Sequence, residues 1–135
     1  MVGDSAMSAS DDPEAVAAAI EVLDRHIAAL NAKDDVALAA TLHFPHYRLS
    51  GAGMRIWESP ERYFADFRAR AGGDWHHSAW DFRKVIAASR EKVHLDVQFT
   101  RYRADNSAIA SYRSIWVVTR IEVRWAAELR SSFAP

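Results

Sequence analysis

The chain has 135 residues, half of them hydrophobic, with a formal net charge of −1 and no cysteine. That length suits one domain with a real core and excludes disorder for its body, while the near-neutral charge gives nucleic acid or an anionic membrane no electrostatic purchase. Without cysteine there is no disulfide, thiolate zinc site or cysteine nucleophile, and neither a membrane helix of about 20 apolar residues nor a secretory leader is written here, so a soluble cytoplasmic protein is expected.

Residues 1–11 are small, polar and aperiodic, and are expected to form a disordered tail ahead of a single domain over 12–135. Asp12-Pro13 supplies an N-cap and a first-turn proline. Val16, Ile20, Leu23, Ile27 and Leu30 follow at spacings of four, three, four and three, an apolar helical stripe ending near Asn31. A second helix, capped by Asp34, carries Val36, Leu38, Ala39 and Leu42 and must stop before Pro45. His46–Ser50 and Met54–Glu58 flank Gly51-Ala52-Gly53 as a hairpin. Ser59-Pro60 restarts a helix with Tyr63, Phe64 and Phe67 on its apolar side, closed by Gly72-Gly73.

From Trp75 onward no glycine or proline occurs before Pro135. Such a run reads as long antiparallel strands, expected at 76–88, 92–104, 108–120 and 122–133. Helices first and a long-stranded sheet after them is an α+β order, with helices on one sheet face.

Alternation assigns the strand faces. Val93, Leu95, Val97 and Phe99 face the core, which turns His94, Asp96, Gln98 and Thr100 away. His94 and Asp96 point the same way, but no third ligand stands at sensible spacing, so no metal is expected. Tyr112, Ser114, Trp116 and Val118 share one face of their strand and read as a pocket wall. Ser111, Arg113, Ile115 and Val117 share the other. Only Lys33, Lys84 and Lys92 are lysines. The strand arginines, among them Arg83, Arg101, Arg113, Arg120 and Arg130, read as solvated faces, although arginine's planar fork also suits interfaces and anions. Asp81 with Arg83, and Asp96 with Arg101 or Arg113, read as ordinary cross-strand pairs.

Chemistry-bearing motifs are few. No Ser/His/Asp arrangement, phosphate loop or dinucleotide fingerprint is present, and no cofactor is called for. Trp57, Tyr63, Trp80, Tyr112 and Trp116 are the aromatics expected to border a ligand cavity. His43-Phe44-Pro45-His46 follows the second helix. His46 is the candidate general base, since an ordinary histidine pKa of about 6.5 suits proton transfer near neutrality. His43 is a candidate ligand contact. The competing reading is that both rings simply bond to backbone.

The order helix, helix, hairpin, helix and four long strands spans residues 12–133. With the segment Trp116-Val117-Val118-Thr119-Arg120-Ile121-Glu122-Val123-Arg124-Trp125 and the ending Arg130-Ser131-Ser132-Phe133, it resembles the nuclear-transport-factor-2-like superfamily of cystatin-like α+β folds. One departure is Val123-Arg124, where such hairpins often carry glycine, so a shifted or bulged turn is expected. The resemblance implies three helices on a strongly curved, mostly antiparallel sheet, forming a cone with an internal pocket, and a homodimer through the convex sheet face. Isomerase-like members place an acidic base after the second helix. The absence of a carboxylate there counts against a ketosteroid-isomerase mechanism. The expected function is a pocket protein for a hydrophobic small molecule, acting as a cofactor-free lyase, isomerase or hydrolase. The alternative is a non-catalytic dimeric ligand-binding or association module.

Overall fold

Two aspartates start the first two helices. The Asp12 side chain accepts from the Ala15 N–H at 3.0 Å and Pro13 opens α1 (Pro13–Ala32), which Lys33 ends in the left-handed conformation. Asp34 does the same for Ala37 at the head of the short α2 (Asp35–Ala39). These caps satisfy N–H groups that the first helical turn leaves without partners. The computed structural model describes residues 12–135, with only the backbone of 68–71. The tail expected over 1–11 lies outside the described residues.

β1 (Leu42–Ser50) and β2 (Gly53–Trp57) form the hairpin, with Gly53 at φ 104°, and α3 (Pro60–Ala71) follows. Then come β3 (His77–Ala88), β4 (Lys92–Tyr102), β5 (Ala108–Ile121) and β6 (Arg124–Ser132). The four long strands fall within about two residues of expectation, while β1 begins four residues before the expected hairpin.

One open sheet results, in the order β2-β1-β6-β5-β4-β3. Every pairing is antiparallel except that of β1 with β6, which is parallel. That seam is irregular: Leu42 pairs with Ala127 but Tyr47 with Leu129, so β1 bulges through Pro45. Proline has no N–H to give a ladder, and a bulge is where a strand tolerates it. The segment His43–His46 is therefore strand rather than a loop after α2.

The β5–β6 turn places Glu122 and Val123 at φ 50° and 60°. Two consecutive positive φ values match the two-residue turn that suits strand twist, normally filled by Asn-Gly. A β-branched residue is strained there.

Helix α1 packs across β3 to β6, and α3 packs against β2. Val93, Leu95, Val97 and Val118 are fully buried on the covered face. The buried stripe of α1 is Ala15, Ala19, Val22, His26 and Ala29, with Leu23 beside it. It repeats the four-three-four-three spacing one residue earlier than the large apolar residues do. Val16, Ile20, Ile27 and Leu30 flank it, half-buried. Alanines let the helix approach the sheet closely, and they bring His26 in with them. No helix among the described residues is long and apolar enough to cross a membrane.

Candidate functional site

Between α1, α3 and the covered face of the sheet lies a cavity of about 50 Å³. Its aromatic wall includes Tyr63, Phe67, Trp75, Trp80, Phe99 and Trp116. The rings meet edge to face: Trp80 and Trp116 at 5.5 Å, Trp80 and Phe99 at 6.3 Å, Phe67 and Trp75 at 5.9 Å. Such contacts fix orientation as well as bury area. Trp80 is further held by its Nε1–H, which donates to the Leu23 carbonyl at 3.1 Å.

Polar groups enter this wall from several elements. From α1 comes His26, 4% exposed, its ring edge-on to Trp116 at 4.9 Å. The Thr41 hydroxyl donates to the Leu38 carbonyl at 2.7 Å, so toward His26 its oxygen is the acceptor, at 2.9 Å from Nδ1. The proton therefore sits on Nδ1, and Nε2 carries the lone pair. Among the described residues nothing bonds to Nε2, and the ring lines the cavity. Burial first, and the charge of Arg130 second, lower the His26 pKa to about 3. The ring is a neutral base, desolvated and open on one nitrogen.

From β6 comes Arg130, buried, its guanidinium over the rings of Trp116 at 5.3 Å and Tyr63 at 5.6 Å. Its Nε donates to His46 Nε2 at 3.1 Å and its Nη2 to the Tyr63 hydroxyl at 3.2 Å. From β4 comes Arg101, half-buried, stacked over Phe99 at 5.7 Å and Tyr112 at 5.2 Å. Desolvation lowers its pKa. Arg48 also reaches the lining and donates to the Ala134 carbonyl at 2.6 Å.

The seven residues singled out from the sequence are not all brought together. Tyr63, Trp80 and Trp116 line the cavity. Trp57 lies behind Tyr63, at 5.2 Å between rings, with its Nε1–H donating to Asp66 at 2.8 Å. Tyr112 sits beside Phe99 and Arg101, outside the lining. His43 is at the other end of the sheet, donating from Nε2 to the Thr119 carbonyl at 3.0 Å and accepting from Arg124 at Nδ1, 3.2 Å. It borders a separate hollow with Phe44, Pro45 and Glu122.

His46 is fully buried in the β1–β6 seam. Its Nδ1–H donates to the Ala127 carbonyl at 3.0 Å, and its Nε2 accepts from Arg130. Burial, then Arg130, hold its pKa well below 6.5, against the opposing pull of the Ala127 bond. Both nitrogens are spent. His46 reaches the cavity only through the arginine it orients.

Two groups central to the cavity, His26 and Arg130, were not singled out as site residues. The signal for His26 was its place, the lone polar residue in the alanine-rich stripe. For Arg101 and Arg130 the solvated-face expectation fails, because both lie on inward positions. It holds for Arg120, which is exposed, and for Arg83 and Arg113, which pair with Asp24 and Asp96. Asp81 accepts from Gln98 and Thr100 rather than from Arg83. Among the described residues no three His, Asp or Glu side chains are grouped to hold a metal.

No family model and no curated protein sequence matches the chain. Solved structures do. A protein of unknown function with a cystatin-like fold from Nostoc punctiforme superposes with a TM-score of 0.73 at 14% identity, covering 89% of this chain and 90% of the other. A ketosteroid isomerase-like protein from Erwinia carotovora atroseptica gives 0.66 at 17% identity, covering 89% and 95%. A hexachlorocyclohexane dehydrochlorinase from Novosphingobium barchaimii gives 0.68 at 16% identity, covering 93% and 89%. At such identities the likeness is one of architecture: the chain adopts the cystatin-like fold of the nuclear-transport-factor-2-like proteins.

Proposed function

We propose that the chain is a small-molecule enzyme of the lyase or isomerase type, with His26 as its general base and Arg130 as the group that stabilises negative charge. The observation that carries this reading is a buried histidine, its tautomer set by Thr41 and its Nε2 without a bond among the described residues, that lines an aromatic cavity together with a guanidinium. A base of this kind takes a proton from a carbon next to an electron-withdrawing group. The spare N–H donors of Arg130 then meet the charge that develops on that group. The proton returns to another carbon in an isomerisation, or the electron pair expels a leaving group in an elimination.

Protonated His26 is disfavoured by desolvation and by Arg130. An anionic intermediate between the two cations offsets both terms. The site therefore favours the transition state over the ground state, which is what catalysis requires. Both groups the proton transfer needs are protein side chains. The names of two structural neighbours, a dehydrochlorinase and a ketosteroid isomerase-like protein, belong to the same reaction classes.

The test is solvent-deuterium incorporation and product formation across apolar ketones, halides and acids, in the native protein and in His26→Gln. Loss of turnover by about 100-fold or more is expected, with ligand binding retained. Undiminished turnover in His26→Gln overturns the assignment.

A second reading, a non-catalytic dimeric binding or association module, is favoured by the outer sheet face. Phe82 and Ile115 lie there, 38% and 37% exposed, on strands whose other face is covered by helices. It gains if no substrate turns over and light scattering finds a dimer; a monomer at micromolar concentration removes it.

A further inference from the structure

The inner cavity has a charge imbalance. Arg48, Arg101 and Arg130 line it, and none of its lining residues is Asp or Glu. Among the described residues neither Arg101 nor Arg130 has a carboxylate within ion-pair distance. Arg130 is 9% exposed and directs two of its five N–H donors to His46 and Tyr63. Among the described residues the other three find no protein acceptor, and Arg101 lies over the rings of Phe99 and Tyr112. A guanidinium removed from water without a counter-ion is costly, and arginine's fork matches a carboxylate better than any other side chain does. Structural arginines of this chain show the contrast, since Arg83 and Arg113 each hold an aspartate.

Size narrows the ligand further. A cavity of about 50 Å³ holds a small polar group and a few waters, not the body of a metabolite. Next to it lies a second hollow of about 310 Å³, walled by Ala29, Leu38 and Phe64 among others. Leu30, Phe67 and Trp75 line both spaces and form the partition between them. A small charged chamber thus adjoins a larger one whose wall is mostly apolar, with Lys33, Asp34 and Asp35 also in its lining.

We infer that the ligand is an amphipathic monocarboxylate, its carboxylate held by Arg101 and Arg130 in the inner chamber and its apolar body lying past Leu30, Phe67 and Trp75 in the outer hollow. This rests on the enzyme reading above and names its substrate class. The carboxylate beside Arg130 sets the neighbouring carbons near His26, where proton transfer would occur.

The experiment is a tryptophan-fluorescence titration at fixed ionic strength with octanoate, its neutral isostere octanamide, and acetate. Trp75, Trp80 and Trp116 line the spaces concerned and serve as reporters. Octanoate is expected to bind at least about tenfold more tightly than either of the others. In Arg101→Gln the preference for octanoate over octanamide is expected to fall to about twofold. Arg101→Lys, which keeps the charge but not the fork, is expected to lie between.

Equal binding of octanoate and octanamide overturns the inference while leaving the His26 reading intact. A preference that survives in Arg101→Gln overturns the role of Arg101. Binding of neither probe also overturns the inference, and the His26→Gln turnover comparison then decides separately whether the base reading stands. The wild-type comparison needs no variant, so a poorly folding Arg101→Gln would not rescue the inference.

Discussion

Two buried histidines, both under the influence of Arg130, show how one side-chain type is put to different use. His26 stands on a helix against the cavity, gives its one N–H to a threonine, and keeps Nε2 open. His46 stands in the β1–β6 seam and has both nitrogens engaged, one by a strand carbonyl and one by the guanidinium. Burial and Arg130 lower both pKa values. What separates them is hydrogen-bond capacity left over. A spare lone pair in a cavity can do chemistry; a spent one can only hold a neighbour in place.

The largest test of this comparison is acid. A histidine whose folded pKa lies below its unfolded value near 6.5 binds fewer protons in the native state than in the unfolded one. Its stabilising contribution is complete above pH 6.5 and is lost as pH falls toward its folded pKa, about 3 for His26. Each pKa unit corresponds to about 1.4 kcal/mol, so His26 withdraws several kcal/mol across that window, and His46 acts in the same direction. Urea unfolding at pH 7, 5 and 4 is expected to show a steep fall, and a flat profile would break the claim that both are neutral and buried.

Next in size is His46→Leu. It leaves the Ala127 carbonyl and the Arg130 Nε–H buried without partners, and is expected to cost about 3 kcal/mol. A shift in the urea midpoint reads this directly. The smallest effect belongs to His26→Leu. Thr41 keeps its bond to the Leu38 carbonyl, and an apolar side chain of similar volume fills the place, so stability at pH 7 is expected to change by about 1 kcal/mol or less. The same variant should flatten the acid profile. A His26→Leu protein as damaged as His46→Leu would mean the two rings are alike after all.

Much of the architecture was legible in the sequence. The alternation in β4 and β5 gave the covered faces, because period-two patterning survives wherever one face is buried. Asp12-Pro13 and Asp34 marked helix starts through local hydrogen bonds. The site was less legible. The large apolar residues of α1 drew attention to Val16, Ile20 and Ile27, whereas the helix turns its small residues inward and carries His26 with them. The β1–β6 seam could not be read from local pattern either. Pro45 argued for a break where the strand instead bulges, and the partner of His46 is 84 residues away. Arg130 followed the same alternation as its exposed counterparts on neighbouring strands, and only its place opposite Trp116 makes it interior.

That parallel seam also dictates an order of assembly. The hairpins joining β3, β4, β5 and β6 close over short turns, but β1 and β2 have no place in the sheet until β6 is there to receive them. Contacts this distant in sequence are slow to find. An early species with the meander formed would hold Trp80 and Trp116 in position, yet lack the His46 that aims Arg130. The sheet side of the cavity would exist before its charge was oriented, so the chain can acquire part of its shape ahead of its chemistry.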